Sequence, residues 1–166
     1  MKFTGIIAEY DPFHNGHAWQ LAQAKALGAE RVAVAMSCSL VQRGALPLLP
    51  EAVRTRSALT CGADLVFALP APCACAGAEA FARAGVRILA AAGCDALVFG
   101  AETPDAALLM EAAREKEVIV ERAVITVGAA QNLFLGEGTR QDYGMIRFDA
   151  EPFDVEESYM RLMMES

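Results

Sequence analysis

Short apolar runs alternate with amphipathic stretches along most of the chain. Residues 2–8 (KFTGIIA) centre on Ile6 and Ile7, and 31–36 (RVAVAM), 65–69 (LVFAL), 96–100 (ALVFG) and 123–127 (AVITV) repeat that character; each predicts a strand. Between them, 17–27, 51–61, 78–92 and 104–116 predict helices. Gly28, Gly62 and Gly93 close the first three as C-terminal caps, and Pro104 opens the fourth at its first turn. In 78–92, Phe81, Gly85, Ile88 and Ala92 recur at helical spacing and predict one core-facing stripe. The strands are apolar on both faces, which implies a parallel sheet covered by helices on each side. The fold class read from this order is α/β, a doubly wound, Rossmann-like parallel sheet.

After Gly128 the pattern weakens. Residues 131–138 suit a loop or short helix and 145–148 a last short strand. Asp154, followed three residues later by Glu157, resembles a helix-starting box that opens a helix to about residue 164. The apolar segment 65–78 is broken by Pro70, Pro72 and Gly77, so it reads as a strand entering a loop. No uncharged run approaches the roughly 20 residues of a membrane helix. One domain spanning 1–166 is expected, with a core over 1–128 and a divergent part over 129–166.

Composition supports a real core: 55% of the 166 residues are hydrophobic and 21% charged, which excludes a disordered chain. The N-terminus reaches Glu9, Asp11 and His14 too soon for a signal peptide, so a cytoplasmic location is expected. Five cysteines, Cys38, Cys61, Cys73, Cys75 and Cys94, are an odd set without zinc or redox spacing. They are expected to be buried or idle thiols in a reducing compartment, and no metal site is read from them. A net charge of −7 argues against an autonomous nucleic-acid binder. Yet Arg31, Arg43, Arg54 and Arg56 face only Glu51 across 31–56, a local basic cluster that reads equally as solvated surface or as a phosphate clamp.

Candidate chemistry concentrates just past the first strand, at His14-Asn15-Gly16-His17, the only two histidines of the chain. In a doubly wound sheet, ligands bind at the carboxyl ends of strands, where helix N-termini point free N–H groups. Two imidazoles separated by a glycine that lets a phosphate approach the backbone suit a triphosphate. They can donate to phosphate oxygens and stabilise the charge that builds during attack on the α-phosphorus.

The motif belongs to a longer run. Residues 9–17 (EYDPFHNGH), 41–44 (VQRG), Arg54, 62–66 (GADLV), 78–82 (AEAFA) and 99–102 (FGAE) occur in order and spacing. Together they resemble the tRNA(Met) cytidine acetate ligases, a branch of the HxGH nucleotidyltransferases. That resemblance implies the HxGH nucleotidyltransferase form of the fold and an enzyme that makes acetyl-adenylate from acetate and ATP, with Mg2+. The acetyl group then passes to the wobble cytidine of tRNA(Met). It places ATP along Ile7, Ala8, Glu9, Tyr10, Asp11, Pro12, Phe13, His14, Asn15, Gly16, His17 and Gln20, with His14 and His17 on the phosphates and Gly100 against the nucleotide. Asn132 and Arg147 are similar to the family's nucleotide-contacting asparagine and arginine. Gln42, Arg43 and Arg54, with Ser158 and Arg161 from the late Ser/Thr-x-x-Arg signature, stand as phosphate or acceptor contacts.

The departures are specific. Asp11 replaces an asparagine, adding charge near a polyanion unless it helps bind Mg2+; Cys38-Ser39 replace Gly-Asn; Arg56 stands where glutamate is usual; the link from Gly136 to Arg147 is short. The family's large C-terminal domain finds no match, so a short form is expected. Three functions therefore stand side by side: an adenylate-forming enzyme acting on acetate and tRNA, an adenylyltransferase acting on a small molecule, and a catalytically silent ATP-binding relative. Self-association that covers a bared apolar surface is left open.

Overall fold

A computed structural model of the chain describes residues 3–101, 123–131 and 140–148. Among these residues ten α-helices and β-strands follow one another, with a 3-10 turn at Gln42–Gly44 between the second strand and the second helix: β1 (Phe3–Ala8), α1 (Asn15–Ala26), β2 (Arg31–Ser37), α2 (Glu51–Thr60), β3 (Leu65–Leu69), α3 (Ala71–Ala74), α4 (Ala78–Ala91), β4 (Ala96–Ala101), β5 (Ala123–Gln131) and β6 (Arg140–Phe148). They form one sheet in the order β3-β2-β1-β4-β6-β5. The first four strands run parallel, with Ile6 level with Val34 and Val34 level with Val66.

The two faces of β1 show why this half is doubly wound. Ile6 packs with Leu21 and Ala24 of α1 and Ala58 of α2, while its neighbour Ile7 packs with Phe81 and Ile88 of α4 on the other side. Alternate side chains of a strand point to opposite faces, so one apolar pair joins two helical layers to the sheet. The buried face of α4 is wider than the expected stripe. Phe81 is joined by Ala82, Val86 and Leu89, all buried, whereas Ile88 and Ala92 are only half-buried. Gly85 explains the close approach: a Cβ there would lie 2.7 Å from Ile7 Cδ1.

Helix ends follow the sequence. At Gly28, φ is +99°, and the Gly28 and Ala29 N–H groups donate to Lys25 and Ala24, the bonding of a left-handed glycine cap. The other two long helices end the same way at Gly62 and Gly93. Three expectations change. β3 is an edge strand, so Leu65 is exposed rather than covered on both faces. The segment after it is not loop alone but contains the single turn α3, whose Pro72 sits in the first turn, where no N–H is needed. Finally, the sheet is not wholly parallel: β6 runs antiparallel to β4, and β5 antiparallel to β6. Only residues 132–139 join β5 to β6, too few for a parallel crossover of a dozen or more. Gln131, expected in a loop or short helix, ends β5. The helices expected over 104–116 and 154–164 lie outside the described residues. Among those described, no helix is long and apolar enough to cross a membrane.

Candidate functional site

Strand order locates the site. From β1 the chain winds outward to β2 and β3, then returns to place β4 on the other side of β1, so the winding reverses between β1 and β4. Ligands of such sheets sit at that reversal, beyond the carboxyl ends of the strands. Here the two strands part as they approach that edge. They pair at Thr4 with Ala96 and at Gly5 with Leu97, although β1 runs on to Ala8 and β4 to Ala101. Ile7 and Ala8 therefore flank one side of an opening crevice, and Gly100 the other.

The turn leaving β1 is shaped by aromatic packing. Tyr10 adopts a left-handed φ of 52°, a costly conformation for a residue with a Cβ, and is 1% exposed. Its ring lies 4.9 Å from Phe13 and 4.7 Å from His17, and Phe13 lies 5.6 Å from His17. His14 and His17 stack with their centroids 3.7 Å apart.

The two histidines also start the helix. His14 is the N-cap: its Nδ1 accepts from the Gly16 N–H at 3.1 Å, and His17 Nδ1 accepts from the His14 N–H at 3.3 Å. This is a capping box with imidazoles in place of a hydroxyl and a carboxylate. An Nδ1 that accepts a backbone N–H carries no proton, so each neutral ring holds its proton at Nε2. Burial, and then the neighbouring His14, push the His17 imidazole down from 6.5 to about 4, which keeps that ring neutral near pH 7. The chemical consequence is two Nε2–H donors beside the crevice at the positive end of a helix dipole.

Two expectations about this turn are revised. The helix N-terminus does not offer a row of free N–H groups: Gly16 donates to His14 Nδ1, and His17 and Ala18 donate to the His14 carbonyl. Gly16 is required by the motif itself, because a Cβ there would lie 2.9 Å from His14 Cε1 and 3.1 Å from its Nδ1. Helix α1 accordingly begins at Asn15, two residues before the expected start.

Residues 38–50 lie against the turn. Glu9 Oε1 accepts from the Gln42 N–H at 2.5 Å, and Asp11 Oδ1 accepts from the Leu48 N–H at 2.6 Å. The charge introduced at Asp11 thus spends one oxygen on backbone. Replacement of Gly-Asn by Cys38-Ser39 strains nothing, because Tyr10 is the one non-glycine residue at positive φ among those described. Cys38 uses its thiol to donate to the Leu69 carbonyl at 3.0 Å.

The three members of the basic cluster whose side chains are described do not gather. Arg31 opens β2 and is exposed, and Arg56 is exposed on α2. Arg54 is fully buried. It donates from Nε to Leu49 O at 3.0 Å, from Nη1 to Glu9 O at 2.6 Å and Ser37 O at 2.8 Å, and from Nη2 to Cys38 O. With no surface and four donors engaged, Arg54 is a buried tie between backbone segments, not a phosphate contact. Sequence reasoning missed this because basic residues read as surface.

Other expected site residues fall as follows. Pro12, His14 and Asn15 are exposed at the rim; Ile7, Ala8, Glu9, Asp11, Phe13, Gly16, His17, Gln42 and Gly100 are partly exposed. Gln20 is buried, as is Tyr10, which packs the turn instead of facing a ligand. Arg147 pairs with Ala96 at the start of β4, whereas Gly100 pairs with Tyr143. Four residues of ladder, about 13 Å, separate it from Gly100, so the register sets Arg147 at the opposite edge from the histidines. Asn132, Ser158 and Arg161 lie outside the described residues. The cysteines are free; Cys61 is exposed and the other four half-buried, so of the expected buried or idle thiols none is fully buried. Burial, and then Asp95, push the Cys94 thiol up to about 12, which leaves it unreactive near neutrality.

The profile of the family described as HIGH Nucleotidyl Transferase matches residues 1–126. The chain is 46% identical over 115 residues to a tRNA(Met) cytidine acetate ligase of Syntrophotalea carbinolica, covering 69% of this chain and 27% of that protein. It is 49% identical over 105 residues to the ligase of that name from Latilactobacillus sakei, covering 63% and 27%. The crystal structure of Thermotoga maritima TmcAL bound with alpha-thio ATP superposes with a TM-score of 0.65 at 37% identity, covering 69% of this chain and 28% of that one. The chain thus spans little more than a quarter of the length of these relatives.

Proposed function

The chain belongs to the HIGH nucleotidyl transferase family, and on that premise we propose that it binds ATP at residues 7–20 and Gly100 and forms an adenylate from a carboxylate. The observation that carries this reading is the shared tautomer of the two stacked imidazoles. Both Nδ1 atoms are spent on backbone N–H groups, which leaves both Nε2–H groups as donors for phosphate oxygens. A carboxylate oxygen attacks the α-phosphorus, the new O–P bond forms, and the bond from that phosphorus to the bridging oxygen breaks to release pyrophosphate. The Nε2–H donors of His14 and His17 stabilise the charge that grows on the phosphate oxygens.

The carboxylate proposed is acetate and the acceptor the tRNA(Met) cytidine, as named in the relatives. The N4 amine attacks the acyl carbon, loses a proton and displaces AMP. Work on tRNA places the protein in the cytoplasm. Among the described residues no three His, Cys, Asp or Glu side chains gather to hold a metal. Mg2+ would then be held chiefly by the phosphates of ATP and water, as is usual for this ion.

Exchange of labelled pyrophosphate into ATP tests the reading. Exchange that depends on acetate is the expected result. Exchange that requires a different carboxylate or a phosphorylated acceptor replaces this function with that of a small-molecule adenylyltransferase. ATP binding without exchange under any of these conditions reduces the protein to a nucleotide binder.

A further inference from the structure

Arg54 joins three separate stretches of backbone. Its guanidinium reaches Glu9 O on the turn after β1, Ser37 O and Cys38 O at the end of β2, and Leu49 O just before its own helix. A planar fork with several fixed donors can do this; a lysine ammonium on a flexible stem cannot span the same carbonyls. Two further bonds link the same two loops, Gln42 N–H to Glu9 Oε1 and Leu48 N–H to Asp11 Oδ1. In each, one partner lies within 9–11 and the other within 42–48, 33 and 37 residues away in sequence. Each loop has some order of its own, Val41 N to Ala45 O and Gly44 N to Val41 O in one and the packed rings of Tyr10, Phe13 and His17 in the other, but these bonds are what join the two. Arg54 is the buried point of the joint between them.

We propose that Arg54 is a positioning residue that locks residues 38–50 onto the ATP-binding turn, so that the two loops order as one unit when nucleotide binds; this rests on the ATP reading above. Residues 9–11 lead directly into the histidines, so loosening 38–50 misplaces the imidazoles. Coupling of this kind is reciprocal: ATP gripping the turn tightens 38–50.

The test is hydrogen exchange on the full chain, with and without ATP, beside calorimetric titration of ATP. In the wild type, ATP slows exchange at the Gln42 and Leu48 amides. Arg54→Lys weakens ATP binding roughly tenfold and abolishes that slowing, while the β2 amides of Val34 and Ala35 keep their protection. A general loss of packing would instead expose β2 as well. Wild-type protein that binds ATP without a change at Gln42 and Leu48, or Arg54→Lys protein with wild-type affinity, overturns the proposal alone. Where Arg54→Lys does not fold, Asp11→Ala cuts the Leu48 bond and leaves Arg54 in place. It speeds exchange at Leu48 and weakens ATP, and unchanged affinity in that variant overturns the proposal. A wild-type chain that binds no ATP overturns the function reading and this proposal with it.

Discussion

The two edges of the parallel sheet solve the same problem differently. At the amino edge one device is used twice, in Gly62-Ala63-Asp64 and Gly93-Cys94-Asp95. Each glycine ends a helix at positive φ, and each aspartate N–H donates to the neighbouring strand, Asp64 to Val32 O and Asp95 to Phe3 O, both at 2.8 Å. Each carboxylate then accepts from that same strand residue, from Val32 N at 2.7 Å and Phe3 N at 3.2 Å. The carboxyl edge has no repeat. Glu9, Asp11, Arg54 and the left-handed Tyr10 each form a different tie. The amino edge answers its polar groups with one another. The carboxyl edge ends with two imidazole N–H donors in hand, and this difference separates scaffold from site.

The sharpest way to break that contrast is to remove one of those donors. His17→Ala deletes the donor proposed to act in the transition state and is expected to slow ATP–pyrophosphate exchange by about 10²–10³-fold, with far-UV circular dichroism unchanged. Exchange at the wild-type rate would take the imidazoles out of the mechanism and leave the carboxyl edge as merely another way to close a sheet.

A pH series separates the edges next. The folded pKa of His17 lies below its unfolded value, at about 4 against 6.5. The unfolded chain takes up this proton first as pH falls. The stability contributed by the neutral ring is therefore complete above about 6.5 and is lost as pH drops towards 4. Allowing for the ring's partial exposure, the loss is on the order of 2 kcal/mol. Asp64 is also held below its ordinary value, but there it is the charged form that the fold favours. Burial opposes its charge, but the Lys25 hydrogen bond, the Val32 N–H and the Lys25 and Arg31 charges together hold its carboxyl below 3.8. Its contribution is present above that value and is lost only as pH falls through the lower, folded one. Urea unfolding at stepped pH should show the wild type losing more stability between 6.5 and 4 than His17→Ala does. Parallel curves for the two proteins would contradict the buried, neutral ring.

Legibility in the sequence follows the same division. The amino edge could be read because Gly28, Gly62 and Gly93 each close a helix within a few residues, a local signal. The histidine motif could be read too, but not its capping role, which depends on the ring placement that Gly16 permits. Arg54 was hidden by α2 itself, whose buried face holds Arg54 and Ala58 while Val53 and Leu59 are exposed. An apolar-stripe argument therefore points the wrong way there. What buries the arginine is the convergence of carbonyls from residues 9, 37, 38 and 49, which no local window contains. The antiparallel pairing of β5 with β6 was not legible, because the expected strands 123–127 and 145–148 leave seventeen residues between them, enough for a crossover; the longer strands Ala123–Gln131 and Arg140–Phe148 cut that to eight.

The smallest effect is the most discriminating about the comparison itself. Asp64 accepts from Lys25 Nζ at 2.5 Å and from Val32 N at 2.7 Å, and the Lys25 and Asp64 side chains are 35% and 40% exposed. Water screens such a pair and can replace the bond to Val32, so Asp64→Ala is expected to cost about 1 kcal/mol or less. Asp64→Asn keeps an acceptor for Val32 and loses the charge facing Lys25, so the difference between the two variants in urea unfolding measures how little the exposed charge adds. ATP affinity by calorimetry should match the wild type in both, because the amino ends of β2 and β3 lie one strand length, roughly 20 Å, from the histidine turn. A shift in ATP affinity comparable to that of Arg54→Lys would mean that the amino edge is mechanically joined to the site through β2, and the scaffold would then be part of the machinery.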